Sequence, residues 1–260
     1  SGRKLAFGAL VPAAAKLPVP AAETLRFKPK NEWKFVGQER PIYDLADITT
    51  GKAPFGLDIY RDNMVVASIE HPPVVGGSVK TVADAETRKG RGVRDVITLD
   101  PPKPPLMFQS LGGGAVIADN TWAALKGRRA LKVEWNDGAN ATFESGAFQK
   151  QLVQTVSQPV KVVRNHGNVD AEFAKGGKVL EATYSTPYLP RARMEPGNAT
   201  VLVVNDRVDI WIGDQSPQET RFSAAKITGI PEANVHLHLC HLGGGFGRNG
   251  NGPQAEHAIM

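Results

Sequence analysis

The sequence predicts an α+β fold, because short β-branched runs recur between capped helix candidates, glycine and proline clusters punctuate them, and strand text dominates the later part. With 260 residues, 41% of them hydrophobic, the chain can bury a real core, and a prior of about one domain per 150 residues suggests two units. The net charge of +5 comes from 31 basic residues dispersed among 26 acidic ones. No long basic run marks a nucleic-acid surface, and a mixed solvated surface accounts for the balance. No stretch approaches the ~18 consecutive apolar residues of a membrane helix, so a soluble chain is expected. Cys240 is the single cysteine, which excludes a disulfide within the chain and leaves the redox compartment open.

From Ser1 to about Arg40 the text is rich in Ala, Pro and Lys, and Pro12, Pro18, Pro20 and Pro29 interrupt any helix. Residues 1–45 therefore read as a lead-in segment, and the opening Ser1-Gly2-Arg3-Lys4 and closing Ala258-Ile259-Met260 as parts of a longer polypeptide. Residues 46–138 form a first folded unit. Its expected strands are Phe55 to Ile59, Met64 to Ile69, Val93 to Leu99, Ala115 to Ala118 and Leu131 to Trp135. Helices are expected at Thr81 to Arg88 and at Thr121 to Gly127, where Asn120 can cap free amides and Gly127 stands near the stop. Pro101 to Pro105 reads as a rigid excursion and Gly112-Gly113-Gly114 as a flexible one.

A second unit, 139–260, begins after Asp137-Gly138, with a weakly periodic helix over Thr142 to Val156 and a loop at Asn165 to Asn168. Strands are expected at Lys178 to Thr186, Ala199 to Val204 and Val208 to Ile212, with Asn205-Asp206 as a tight connection. Ser216-Pro217-Gln218-Glu219 has the form of a capping box opening a helix to Ile227, which Gly229 ends. A strand from Val235 to Leu239 then delivers the chain into His241-Leu242-Gly243-Gly244-Gly245-Phe246-Gly247-Arg248. So many glycines around one phenylalanine exceed the needs of a turn: they allow close backbone approach to a ligand, and successive free amides can cradle an anion or a metal-bound oxygen. Gly245 to Gly250 also fits G-x-G-x-x-G after a strand, but Asn249 to Pro253 is poor helix-opening text for a dinucleotide fold. His236, His238 and Cys240 alternate on one strand face without an evident fourth metal ligand, and the four tryptophans are too dispersed for a stacking platform.

Gln215 before the helix, Gly229-Ile230-Pro231 after it, the following strand and Gly243 to Arg248 together resemble the molybdopterin-binding subunit of the xanthine oxidase and aldehyde oxidase superfamily. Tyr188-Leu189-Pro190 and Met194-Glu195-Pro196 are similar to a family segment beside the active site, and Gly51 to Asp58, His71 to Lys80 and Ala118 to Trp135 resemble its α/β hammerhead domain. Pro72-Pro73, Gly76-Gly77, Met194-Glu195-Pro196 and Arg248 bring the likeness nearest to isoquinoline 1-oxidoreductase beta subunits and membrane-associated bacterial aldehyde dehydrogenases. The resemblance implies a lead-in packed on the cofactor domain, a hammerhead domain over 46–138, and over 139–260 the first part of a mixed α/β molybdopterin-binding domain. It also implies a molybdenum cofactor, in the cytosine dinucleotide form, held by Gln215, Gly244, Gly245, Phe246, Gly247 and Arg248. Uncharged donors of this kind can hold an anionic metal-oxo centre without a titratable group, and an arginine suits a phosphate or carboxylate.

By the same resemblance the enzyme oxidises an aldehyde or an N-heterocycle with oxygen from water. Electrons pass to a [2Fe–2S] small subunit, with a cytochrome c subunit as a further partner, because one cysteine cannot ligate a cluster. The remaining part of the large subunit supplies the general base, Glu195 being a structural or pocket-lining carboxylate rather than the base. The expected location is the bacterial periplasm or the periplasmic face of the inner membrane, with the cytoplasm as the alternative. Purine-oxidising relatives carry a glutamate where Gly250 stands here, which argues against xanthine as substrate. The rival readings are a cofactor-free scaffold module and an NAD-dependent dehydrogenase.

Overall fold

The computed structural model describes residues 4–106, 109–249 and 253–260. The chain divides into two compact units, 1–52 and 53–260. In the first, α1 (Phe7–Ala14) and α2 (Leu45–Thr49) are joined by extended chain and single 3-10 turns, and neither helix buries a residue. Pro12 lies inside α1, where its missing N–H weakens the ladder.

The second unit opens with a 3-10 turn at Gly56–Asp58, where a strand was expected: Asp58 Oδ2 accepts the Phe55 N–H at 2.9 Å and curls the backbone. There follow β1 (Val66–Glu70), β2 (Ser78–Ala83), α3 (Ala85–Arg88), β3 (Val93–Leu99), β4 (Gly113–Ala118), α4 (Thr121–Ala130) and β5 (Lys132–Asn136). The expected helix from Thr81 is thus strand as far as Ala83, since β2 finds a partner in β5. Strands β1, β4 and β3 form an antiparallel sheet in that order, and β2 and β5 form a second. Gly113 and Gly114 belong to buried β4 rather than to a flexible excursion; a Cβ at Gly113 would strike the Glu70 carbonyl of β1. Helix α4 is capped by Asn120, whose Oδ1 accepts the Ala123 N–H at 3.0 Å. Gly127 lies within α4 rather than at its stop, and its lack of a side chain lets the helix settle on Val116 and Val93. Val96, Val116 and Leu131 form the core here, beside a smaller cluster of Ala118, Ala123 and Ala124.

Next come α5 (Ser145–Val156), α6 (Val169–Ala174), β6 (Thr200–Val204), β7 (Arg207–Ile212), α7 (Pro217–Thr228), β8 (Val235–Leu239) and α8 (Pro253–Ile259). Lys178 to Thr186 forms no strand: it is exposed and finds no partner ladder, without which extended propensity gives no sheet. Asn205, at φ 52°, makes the tight turn into antiparallel β7. Strand β8 then returns parallel to β7 through α7, a βαβ crossover. Its core is Val208, Ile210, Ile212, Ala224, Val235 and Ala255. Among the described residues no helix is long and apolar enough to cross a membrane.

Candidate functional site around the glycine loop

The parallel pairing of β8 with β7 continues to Cys240, whose N–H donates to the Ile212 carbonyl at 3.0 Å, and His241 N–H then bonds to Pro54 O at 3.0 Å. The glycine loop therefore leaves a fixed sheet edge. At its entry, Glu195 N–H donates to Gly243 O at 3.2 Å while Gly243 N–H donates to Glu195 Oε2 at 2.8 Å. Glu195 Oε1 accepts the Leu57 N–H at 3.1 Å and Asn198 Nδ2 at 2.9 Å. At its exit, Asn249 is bound from three directions. Its N–H donates to Gln215 Oε1 at 2.6 Å, its carbonyl accepts the Gln215 N–H at 3.1 Å, and its side-chain oxygen accepts from Arg193.

Between these anchors the chain makes a turn closed by Arg248 N–H on Gly245 O at 3.1 Å. Gly244 and Gly247 have φ of 104° and 97°, which favour glycine, and Phe246 holds a left-handed φ of 47°. Among the described residues the N–H groups of Gly244, Gly245, Phe246 and Gly247 donate to no acceptor, and neither does Gln215 Nε2. An array of uncharged donors on one loop, with an amide side chain pinned by its own oxygen, is the donor set an oxyanionic ligand needs. Partial burial, and then the neighbouring Arg191 cation, push the Arg248 guanidinium below its ordinary range.

Gln215 and Gly244 to Arg248 are thus brought to one place through Asn249, whereas Gly250 lies outside the described residues. Sequence reasoning missed Asn249 and Arg193, because each acts through a partner remote in the chain, and Asn198, whose partner Glu195 is near in sequence but is itself tied to the loop only by the fold. It also misplaced the cap of α7. Ser216 makes no side-chain cap; instead Asp214 Oδ1 accepts the Ser216 N–H at 2.8 Å and Asp214 Oδ2 accepts from the Thr220 hydroxyl. A helix, α8, does follow the loop and starts at Pro253, contrary to the poor helix-opening text. Proline fits a first helical turn because its missing donor is not needed there.

The alternating residues of β8 have other occupations. His238 Nε2 lies 2.7 Å from Asp209 Oδ1, and its ring stacks on Trp211 at 4.6 Å, with the Arg61 guanidinium 4.1 Å from the same indole. Arg207 makes a paired contact to Asp209 at 2.6 and 2.8 Å, and this guanidinium, ahead of His238, holds the Asp209 carboxyl well below the usual range. Burial, then the Glu195 charge, push the Cys240 thiol up. No group of three metal-ligating side chains occurs among the described residues.

Residues 153–260 match the molybdopterin cofactor-binding domain. The chain is 29% identical to the membrane-bound aldehyde dehydrogenase [pyrroloquinoline-quinone] of Gluconacetobacter polyoxogenes, over 96% of the chain and 33% of that protein. It is 26% identical to isoquinoline 1-oxidoreductase subunit beta of Brevundimonas diminuta, over 93% of the chain and 31% of that protein. The solved aldehyde oxidoreductase of Desulfovibrio gigas superposes with a TM-score of 0.59 at 17% identity, covering 96% of this chain and 31% of that one. Quinoline 2-oxidoreductase of Pseudomonas putida 86 gives 0.55 at 17% identity, covering 78% and 30%. These structural likenesses show the fold. The chain spans about a third of the length of the relatives it matches.

Proposed function

We propose that the chain is part of the large subunit of a molybdenum hydroxylase of the xanthine oxidase family, oxidising an aldehyde or an N-heterocycle. In this reading 1–45 is a lead-in segment, 46–138 is the hammerhead domain, and 139–260 belongs to the molybdopterin-binding domain. The single observation that carries it is the row of amides from Gly244 to Gly247, beside the Gln215 amide, that find no acceptor among the described residues, within a segment matching a molybdopterin-binding domain. The residues present fit an anionic cofactor, because they offer donors without adding negative charge. Gln215, Gly244, Gly245, Phe246 and Gly247 would hold it, and Arg248, with Arg191 nearby, would meet a phosphate of its cytosine dinucleotide form.

When bound, the molybdenum cofactor supplies a two-electron oxidation whose oxygen comes from water. This chain's residues bind and orient that group, and a [2Fe–2S] small subunit, in turn served by a cytochrome c subunit, takes the electrons. Glu195 is not the general base, since both its oxygens already accept N–H donors from the fold. The base belongs to the rest of the large subunit. The periplasm, or the periplasmic face of the inner membrane, is the proposed location.

The test is Gln215→Ala in the intact enzyme. The variant loses the bond from the Asn249 N–H, costing about 1 kcal/mol at an exposed side chain, so it folds. Molybdenum per subunit and substrate oxidation both fall about tenfold or more. Unchanged molybdenum in the variant, or stoichiometric pyrroloquinoline quinone or NAD in the wild type, refutes the proposal.

A further inference from the structure

We propose that Glu195 is a positioning residue, which holds the entry of the glycine loop so that the amides of Gly244 to Gly247 stand free as a fixed donor array toward the cofactor. This rests on the reading of the loop as a molybdopterin-binding element. The carboxylate is not in the ligand shell. It acts through Gly243.

Four observations carry the inference. Glu195 joins three separate stretches of chain: its own, the 3-10 turn at Leu57 and the loop entry at Gly243. Gly243 is paired to it on both its N–H and its carbonyl, while the N–H groups of the next four residues have no acceptor among the described residues, so paired backbone gives way to open donors at the Glu195 contact. The fit is close, since a Cβ on Gly243 would fall on the Glu195 side chain. Finally, Asn198 turns its Nδ2 to Glu195 Oε1 and to Pro196 O, leaving its own Oδ1 buried with no donor among the described residues, against Gly56. An amide that leaves its acceptor unsatisfied in order to donate to this carboxylate indicates that the acceptor matters here.

Only a carboxylate meets the demand. Its two oxygens accept from Leu57, Asn198 and Gly243, whereas glutamine has one acceptor and must set an N–H against the N–H of Gly243 or against those of Leu57 and Asn198. A negative charge near an anionic cofactor is unfavourable by itself, and three N–H donors disperse it.

The experiment compares the purified wild-type holoenzyme with Glu195→Gln, Asn198→Ala and Gly229→Ala, reading molybdenum per subunit, the rate of cofactor loss on dilution, and hydrogen exchange of the amides over 243–249. Glu195→Gln is expected to lose cofactor about tenfold faster, the size of effect seen when a supporting hydrogen bond to a metal site is removed, with faster exchange at Gly243. Asn198→Ala, which removes one donor of three, is expected to speed the loss about threefold. Gly229→Ala weakens α7 at its far end and is expected to leave cofactor retention as in the wild type. Wild-type retention in Glu195→Gln, or equal losses in Gly229→Ala and Glu195→Gln, overturns the inference. A wild-type enzyme without molybdenum overturns the functional reading, and exchange at Gly243 then still reports whether Glu195 fixes the loop.

Discussion

Replacing Gly243 by alanine sets a methyl group where the Glu195 side chain already lies. Gly243 is outside the left-handed region, so the perturbation is steric and not conformational. To make room, the segment at Glu195 must withdraw, and two hydrogen bonds lengthen: Gly243 N–H to Glu195 Oε2 at 2.8 Å and Glu195 N–H to Gly243 O at 3.2 Å. The first involves a charged acceptor and contributes about 1.5–3 kcal/mol, the second about 1 kcal/mol. Because Glu195 is only partly buried, water recovers some of this. The net loss comes to about 2–3 kcal/mol, a fall of roughly 4–12 °C in Tm for a domain of this size. Gly245→Ala is the control, since a Cβ there meets its nearest atom at 3.6 Å, an ordinary contact. It is expected to stay within about 1 kcal/mol of wild type. Urea unfolding of both variants decides the matter. Coincident midpoints would show that the contact between Glu195 and Gly243 contributes no stability, and the steric reasoning fails.

Two further predictions concern the sheet and helix that carry the loop. Asp209 is held ionised by the Arg207 pair and by His238, with its folded pKa below an unfolded value of about 3.9. Its contribution is therefore complete above about pH 5 and lost as acid titrates the folded group, so Asp209→Asn is less stable by about 1–2 kcal/mol near neutrality and the gap narrows steadily as the pH falls below about 5 in pH-resolved unfolding. A gap that does not change with pH refutes this. Gly229→Ala puts an L side chain at φ 73° after α7, where no neighbouring atom crowds it, so the conformational cost stands alone at about 1 kcal/mol, with Gly229→Asn costing less in the same unfolding assay.

The elements read correctly from sequence carry their determinants locally. Asn120 caps α4 from its own first turn, Asn205 makes the turn between β6 and β7 itself, and Val235 to Leu239 alternates into a buried face. Lys178 to Thr186 has similar local text but no neighbour to pair with, and strand formation is decided by the neighbour. The cap of α7 was misread for a related reason: Ser216 and Asp214 both suit the role, and the Thr220 hydroxyl, one turn on, favours the acid. At the candidate site, the glycines stand out by type, whereas Gln215 enters only through the family likeness. The partnership of Glu195 with Gly243 joins residues far apart in the chain and leaves no periodicity or motif by which to find it.

Asp214 has a consequence for how an anion would be drawn to this surface. The amino end of a helix attracts anions through its unpaired N–H groups and its dipole. At α7 that attraction is met inside the protein by the Asp214 carboxylate, which takes the Ser216 N–H. Long-range pull on a charged ligand would then fall to guanidiniums such as the exposed Arg191 and the half-buried Arg248, where dissolved ions screen them. Under the proposed function, encounter with the ligand would therefore be salt-sensitive, whereas its retention, governed by short contacts to backbone donors, would not.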